Sequence, residues 1–289
     1  MSKPCPICGC HEYDHYEYSR ENLRNSLNLT SVNLCKSCNL GLAMPRLKQD
    51  TLDQFYKSGS YWDSQTSNNK FSIVHQKVQS FYRVNYIKSF LSEKPNNILD
   101  VGAGNGFIGE FTQASFPGSK YFFLEPDPNL SNKILNRVTD SKQFSLVESL
   151  DEGFDVIFIN HVLEHVENPV TLINQYKKLL SPRGILYIET PNQDFKFKNS
   201  PFPHTLFFSK KSMKNLIKKV EMNVLDLTSF GRMTFVDPTN TTPKLLPRLF
   251  AMSVRVNIWF AQRAFNNLMF RYNDPTNGIW LRAIVRSYN

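Results

Sequence analysis

The sequence predicts an α/β protein, a doubly wound sheet preceded by a small cysteine module. Three observations predict it. Apolar strand-like runs alternate with helical periodicity from residue 98 to residue 230. The first run opens directly into a glycine turn, Gly102-Ala103-Gly104-Asn105-Gly106, and then a helix. All five cysteines fall before residue 39, four of them in two Cys-x-x-Cys pairs. Length and balance agree: 289 residues suffice for one large domain plus a small module. Hydrophobic residues at 41% support a core, and charged residues at 20% argue against disorder.

The cysteine module is assigned to residues 1–46. Cys5-Pro6-Ile7-Cys8-Gly9 and Cys35-Lys36-Ser37-Cys38-Asn39 are separated by 26 residues between Cys8 and Cys35. Two residues between thiols let both face one ion, and four thiolates complete a tetrahedral zinc shell. Gly9 and Asn39 follow the pairs and tolerate the left-handed backbone such a turn needs. The expectation is a zinc-ribbon with Cys5, Cys8, Cys35 and Cys38 as ligands. A shell of four cysteines is closed, so the ion is expected to be structural. Cys10 and His11 have poorer spacing.

Residues 47–96 form a linker and an N-terminal helical cover. Val74, Val78, Phe81, Tyr82, Ile87, Phe90 and Leu91 give helical periodicity over 71–91, ended by Pro95-Asn96-Asn97. From residue 97 the alternation runs to the end. Ile98–Val101 reads as a strand, 107–114 as a helix, Tyr121–Glu125 as a strand and 129–138 as a helix. Phe144–Val147 and Asp155–Asn160 read as strands, 170–180 as a helix, Ile185–Glu189 as a strand and 212–220 as a helix. Such alternation implies a parallel sheet with its ligand at the carboxyl ends of the strands.

The glycine turn fits two frames. Gly104-x-Gly106-x-x-Gly109 satisfies the dinucleotide fingerprint formally. Asp100-x-Gly102-x-Gly104-x-Gly106 fits better, because an acid then ends the strand. A carboxylate there repels a pyrophosphate and suits a ligand with an amino group. Glu125, 25 residues on, closes the next strand and can accept both hydroxyls of a ribose.

At these residues the chain resembles class I S-adenosylmethionine-dependent methyltransferases. The matching stretches are Ile98–Gly106, Phe154-Asp155-Val156-Ile157, His161-Val162-Leu163-Glu164-His165-Val166 and Ser181-Pro182-Arg183-Gly184-Ile185-Leu186, in family order. The usual Pro-Gly-Gly is here Pro182-Arg183-Gly184. The resemblance implies a Rossmann-like sheet over 97–289. It implies S-adenosyl-L-methionine as cofactor, with Gly102, Gly104 and Gly106 at its methionine end, beside Asp100. Glu125 would hold the ribose, Asn160 or His161 would close over the methionine, and the adenine would lie near Ser149 or Leu150. The N-terminal cysteines are similar to those of a subgroup acting on sugars, lipids and other small molecules. Tyr56, Tyr61 and Trp62 occupy a stretch that family members often fold over the cofactor.

Three of the six histidines are placed for chemistry. His161, Glu164 and His165 follow the fourth strand, and a helical turn starting at His161 would put them on one face. His204 comes after the fifth strand, in Pro201-Phe202-Pro203-His204-Thr205. A neutral imidazole there can take a proton from a hydroxyl. The four positions also resemble the Glu-x-x-Glu-His and later His with which ubiquinone-pathway O-methyltransferases and small-RNA 2′-O-methyltransferases hold a divalent metal. Histidine replaces the first carboxylate, which shifts preference from Mg²⁺ toward softer ions. General base, ligand of a second divalent ion and structural hydrogen-bonding group are all open readings of this set.

Residues 222–230 and 279–286 read as strands, separated by a helical, basic insertion over 231–278. Within Leu245–Phe270, Arg248, Arg255 and Arg263 fall on one side of a helix. That suits a lid, a partner surface, an anionic substrate or a peripheral membrane contact. Net charge is +4 over 1–96, −1 over 97–230 and +6 over 231–289. Acids interleave Tyr13, Tyr16 and Tyr18, which argues against nucleic acid. The start lacks the apolar stretch of a signal peptide, and clustered thiols fit the cytoplasm. The expected activity is methyl transfer to an oxygen of a small molecule, with a sugar or glycan precursor first. The rivals are an RNA methyltransferase and a non-catalytic cofactor-binding scaffold. Oligomeric state is not legible.

Overall fold

The computed structural model describes residues 3–18, 26–58, 70–144, 153–231 and 278–288. The cysteine end contributes β1 (Tyr13–Glu17), β2 (Ser31–Cys35) and β3 (Gly41–Met44), joined antiparallel. The sheet does not stop at residue 46. A fourth strand, β9 (Leu206–Phe207), pairs with β3, matching Gly41 with Phe207 and Leu42 with Leu206. A Cβ on Gly41 would stand 2.9 Å from the Phe207 side chain, so only glycine lets the two strands approach.

Two helices follow, α1 (Gln49–Lys57) and α2 (Lys70–Ile87), the second continued by a 3₁₀ turn over Lys88–Phe90. The helix expected over 71–91 is therefore present with a tightened end. The large sheet is built from β4 (Asn97–Val101), β5 (Lys120–Leu124), β6 (Ser141–Phe144), β7 (Phe154–Asn160), β8 (Leu180–Pro191), β10 (Met222–Phe230) and β11 (Trp280–Ser287). Its order is β10-β11-β8-β7-β4-β5-β6. Strands β4 to β8 run parallel, and β11 is inserted antiparallel between β8 and β10. The strand expected over 144–147 lies three residues earlier, because Ser141–Phe144 is the segment in register with Tyr121–Leu124. Residues 145–147 lie outside the described residues, as do 232–277 with the expected insertion helix, and Tyr61 and Trp62.

The connecting helices are α3 (Phe107–Ser115), α4 (Pro128–Arg137), α5 (Pro169–Lys177) and α6 (Lys210–Lys219). Their starts are written locally. Asp127 and Asn168 each precede a proline and accept hydrogen bonds from the first-turn N–H groups. Ser209 and Ser212 cap α6 reciprocally.

Alternation within the strands splits the core in two. On one face Leu99, Ile157, Leu186 and Ala283 pack under α5 and α6, through Ile173, Met213 and Leu216. Cys5, Cys35, Cys38, Leu40 and Leu42 belong to that same cluster. On the other face Ile98, Val156, Tyr187 and Ile284 pack under Val84 and Ile87 of α2. Each such Leu, Ile, Val or Met side chain, fully buried, contributes roughly 1.5–3 kcal/mol. The strand order reverses between β4 and β7, and their carboxyl ends frame the crevice where ligands bind in such sheets. No helix among the described residues is long and apolar enough to cross a membrane.

Candidate active site

The first half of the crevice is the glycine turn after β4. Gly102, Gly104 and Gly106 have φ of 68°, 55° and 70°, a left-handed backbone that costs side-chain-bearing residues strain. A Cβ on Gly102 would stand 2.7 Å from the Val162 methyl, so the turn also abuts the loop after β7. Glu125, one residue past β5, braces the turn. Its Oε2 accepts the Gly104 N–H at 2.7 Å and its Oε1 accepts the Asp127 N–H at 3.0 Å. Burial pushes the Glu125 carboxyl up, while those two N–H groups oppose the shift. Each oxygen retains a second acceptor position.

Asp100 lies beneath the turn, 2% exposed, and accepts the Tyr121 hydroxyl at 2.7 Å. Burial pushes it up to about 7, against the Tyr121 hydrogen bond and the Arg83 charge. Asn160 ends β7, and its side-chain oxygen and nitrogen are both buried without a hydrogen-bond partner among the described residues. A buried amide left open as donor and acceptor is costly unless something completes it. The amino-acid end of S-adenosylmethionine has the complementary groups. The glycines, Asp100, Glu125 and Asn160 therefore fit that cofactor. Ser149 and Leu150, expected near the adenine, lie outside the described residues.

The second half holds the histidines, and here the expected helical turn is corrected. His161 has φ of 52°, and its N–H donates to the Glu189 carbonyl at 2.9 Å. That strand-end bond holds His161 out of any helix, and a 3₁₀ turn begins only at Leu163. His161 Nδ1 still stands 3.1 Å from Glu164 Oε1. Its Nε2 lies 3.2 Å from Arg83 Nη2 and 3.4 Å from Glu189 Oε1, and its ring meets Trp280 edge-on at 4.8 Å. Burial opposes protonation of His161, but Glu164 and Glu189 outweigh it and raise the pKa.

Glu164 also joins His165 and His204 in a buried group whose ligand atoms lie within 4.8 Å of one another; His161 touches this group only through Glu164. His165 Nδ1 is 2.6 Å from the Tyr56 hydroxyl, and burial pushes the imidazole down to about 3. His204 Nδ1 is 2.8 Å from Asp194 Oδ2. Burial raises the Glu164 pKa, but His161 outweighs it and the net shift is down. The second oxygen of Glu164 has no partner among the described residues.

Several participants are invisible in the motifs. Arg83 of α2 forms a buried ion pair with Glu189, whose other oxygen accepts the Tyr187 hydroxyl at 2.5 Å. Arg83 and His161 hold the Glu189 carboxyl well below the usual carboxylate range despite burial. Glu189 did carry a signal, an acid closing the apolar run Ile185–Ile188, as Asp100 closes Ile98-Leu99. Nothing in the local sequence marks Arg83 or Asp194.

At the cysteine end, Sγ–Sγ distances are 3.5 Å for Cys5–Cys38 and for Cys8–Cys35. A tetrahedral ion with bonds of about 2.3 Å spaces its sulfurs by about 3.8 Å, so the four thiols fit such an ion. Gly9 and Asn39 do take the left-handed backbone, at φ of 72° and 61°. Cys10 instead turns its sulfur to the backbone of Glu12.

The sequence family described as "Methyltransferase domain" matches residues 74–236, more than half of the chain. The ubiquinone biosynthesis O-methyltransferase of Histophilus somni (strain 2336) is 32% identical over 168 residues, 53% of this chain and 68% of that protein. Across eight curated relatives, all ubiquinone biosynthesis O-methyltransferases, the match spans 58% to 69% of the relative's length. Among solved structures, the plantazolicin methyltransferase BamL, in complex with a triazolic desmethylPZN analog and SAH, superposes with a TM-score of 0.54. It is 13% identical, over 84% of this chain and all 100% of that one. A SAM-dependent methyltransferase of Thermotoga maritima gives a TM-score of 0.52 at 13% identity, over 82% and 100%. At such identities the likeness is one of fold.

Proposed function

The chain belongs to the methyltransferase family and is a S-adenosylmethionine-dependent methyltransferase, and from that premise we propose that it methylates a hydroxyl oxygen of a small molecule with His161 as general base. Bound S-adenosylmethionine supplies the electrophilic methyl group. Gly102, Gly104 and Gly106 give its amino-acid end room, Asp100 and Asn160 offer it polar partners, and Glu125 offers acceptors for its ribose.

The observation that carries the role of His161 is its pairing with Glu164. The carboxylate takes Nδ1, which leaves Nε2, 3.2 Å from Arg83 Nη2, as the nitrogen that would accept the proton. His161 is also the most open of the three imidazoles, its side chain 30% exposed against 9% for His165 and His204. Methyl transfer is an in-line displacement, so the chain's task is to position the hydroxyl and remove its proton. His165, pushed down to about 3, stays neutral and braces Tyr56 rather than cycling a proton. The test is the His161→Ala variant, assayed for release of S-adenosylhomocysteine with acceptor fractions. Unaltered turnover would remove His161 from the mechanism.

A second reading concerns a divalent ion on Glu164, His165 and His204. The unpartnered oxygen of Glu164 favours it, as do Tyr56 and Asp194 at Nδ1 of the two histidines, the kind of support that orients metal-bound imidazoles. Measuring divalent ions in the purified chain and in Glu164→Gln tests it, since loss of one ion per chain is expected. Structural zinc on Cys5, Cys8, Cys35 and Cys38 belongs to the same proposal, and the two ions separate by element analysis. The acceptor class rests on the relatives, whose names all describe ubiquinone biosynthesis O-methylation. A sugar or glycan acceptor rests only on the resemblance of the cysteine module, and the small-molecule hydroxyl is the level at which the reading is made.

A further inference from the structure

Arg282 lies on β11, 3% exposed, with its guanidinium between two aromatic rings. The guanidinium carbon is 3.6 Å from the Tyr86 ring centre and 4.2 Å from that of Phe230. The rings satisfy its faces. Its edge is another matter: Nε and Nη2 are both buried and neither has a hydrogen-bond partner among the described residues. No carboxylate among the described residues forms an ion pair with it. A buried cation without counter-charge costs several kcal/mol in general, and native folds rarely keep one without a reason. Arg286, on the same strand, also has a buried Nε without a partner among the described residues, but its Nη2 donates to the Phe90 carbonyl at 3.2 Å, so it lacks the paired opening.

The unpartnered atoms are not scattered. Nε and Nη2 form one side of the guanidinium fork, the side that grips the two oxygens of a carboxylate with parallel hydrogen bonds. Clamping by Tyr86 and Phe230 fixes the plane of that fork in advance.

Its place in the sheet points the same way. Asn160 pairs with Glu189, Glu189 with Arg282, and Arg282 with Thr228, in one row across β7, β8, β11 and β10. Directly paired residues share a face, here the face covered by α2. Neighbouring strands are about 4.8 Å apart, which puts Arg282 about 10 Å along the row from Asn160. That is the span of a small acceptor reaching outward from the cofactor end. Glu189 lies between them but is already neutralised by Arg83.

We propose that Arg282 is an acceptor-binding residue that takes a carboxylate group of the substrate. The proposal rests on the methyltransferase reading for what is bound beside it, but not for the anion site itself. The expected acceptor is therefore a small hydroxy acid, its carboxylate held on Arg282 and its hydroxyl turned toward His161.

The test uses the full chain and three proteins: the native one, Arg282→Met and Arg282→Lys. Calorimetry with S-adenosylhomocysteine comes first. Retained binding in the variants shows that they fold, and failure of the native chain to bind would sink the methyltransferase reading alone. Thermal unfolding is then followed against benzoate and, separately, inorganic phosphate. Benzoate should raise the native midpoint saturably. Arg282→Lys, which keeps the charge and loses the fork, should need about tenfold more benzoate or beyond. Arg282→Met should show no benzoate response, and without anion it should be at least as stable as the native chain. Equal benzoate responses in native and Arg282→Met would overturn the proposal. So would a native chain that responds to phosphate as strongly as to benzoate, since the site would not be a carboxylate fork. Loss of stability in Arg282→Met without any anion response in the native chain would also overturn it, leaving Arg282 a packing residue.

Discussion

The two halves of the crevice are closed over different lengths of chain. On the cofactor side Glu125 reaches Gly104 across 21 positions, and Tyr121 reaches Asp100 across 21. On the histidine side Tyr56 reaches His165 across 109, Arg83 reaches Glu189 across 106, and the Thr205 N–H reaches the Glu164 carbonyl across 41. The first half is a property of one βαβ unit. The second exists only when the cysteine sheet, α1 and α2 are all in place. A binding site made locally is insulated from distant change, whereas a proton-handling site made from remote pieces is exposed to it.

The largest effect should come from breaking the second half at its centre. His161→Ala should lower turnover by roughly 10²–10⁴ while S-adenosylhomocysteine binds within a few-fold of native, read by single-turnover kinetics beside calorimetry. A matching fall in cofactor affinity would erase the distinction between the halves.

Next in size is Cys35→Ser. It should lose the proposed zinc, measured by element analysis, and lower turnover more than cofactor affinity. The route runs through β3: the Ala43 N–H donates to the Thr205 carbonyl at 2.9 Å, and Thr205 in turn holds the Glu164 carbonyl. Unchanged turnover in a metal-free chain would show that the cysteine sheet does not support the histidines.

On the cofactor side, Glu125→Ala and Asp100→Ala should each weaken S-adenosylmethionine binding by ~1–3 kcal/mol. Asp100 also supplies a pH test. Its folded pKa, about 7, lies above the unfolded aspartate value, so in the window between them the native chain keeps a proton that the unfolded chain has lost. Stability from that proton is full at low pH and declines as pH rises from about 4 to about 7. Urea unfolding across this window should show the decline in the native chain and a flatter profile in Asp100→Asn. Parallel profiles would mean that Asp100 stays ionised.

The smallest effect is expected at the margin of the histidine side. Tyr56→Phe removes one hydroxyl from His165 and should cost about 0.5–1.5 kcal/mol in unfolding free energy. A loss confined to the cofactor titration would place Tyr56 in the wrong half.

The same contrast explains what was legible in the sequence. The glycine turn, Asp100 and Glu125 obey short spacings set by one strand, one turn and one helix, so the motif carries their geometry. The Cys-x-x-Cys turns are local too, and Gly9 and Asn39 adopt the backbone their positions require. A three- and four-residue spacing reads as helix and so puts His161 on a helical face. The Glu189 carbonyl, which prevents that helix, belongs to another strand. Arg83 lies outside the apolar spacing of its helix, and only the packing of α2 on the sheet shows that it is buried against Glu189. Long-range partners of this kind have no period for a sequence to display.

The two-residue strand β9 sets an order of events during synthesis. When residue 46 leaves the ribosome, β1, β2 and β3 can already pair, but the outer edge of β3 has no neighbour. That edge waits through 160 further residues until Leu206 arrives. A nascent chain in this interval presents bare strand hydrogen-bonding groups, the kind of surface that recruits stray strands or chaperones. Its closure comes only after β8 has been made, so the cysteine sheet is begun long before it is completed.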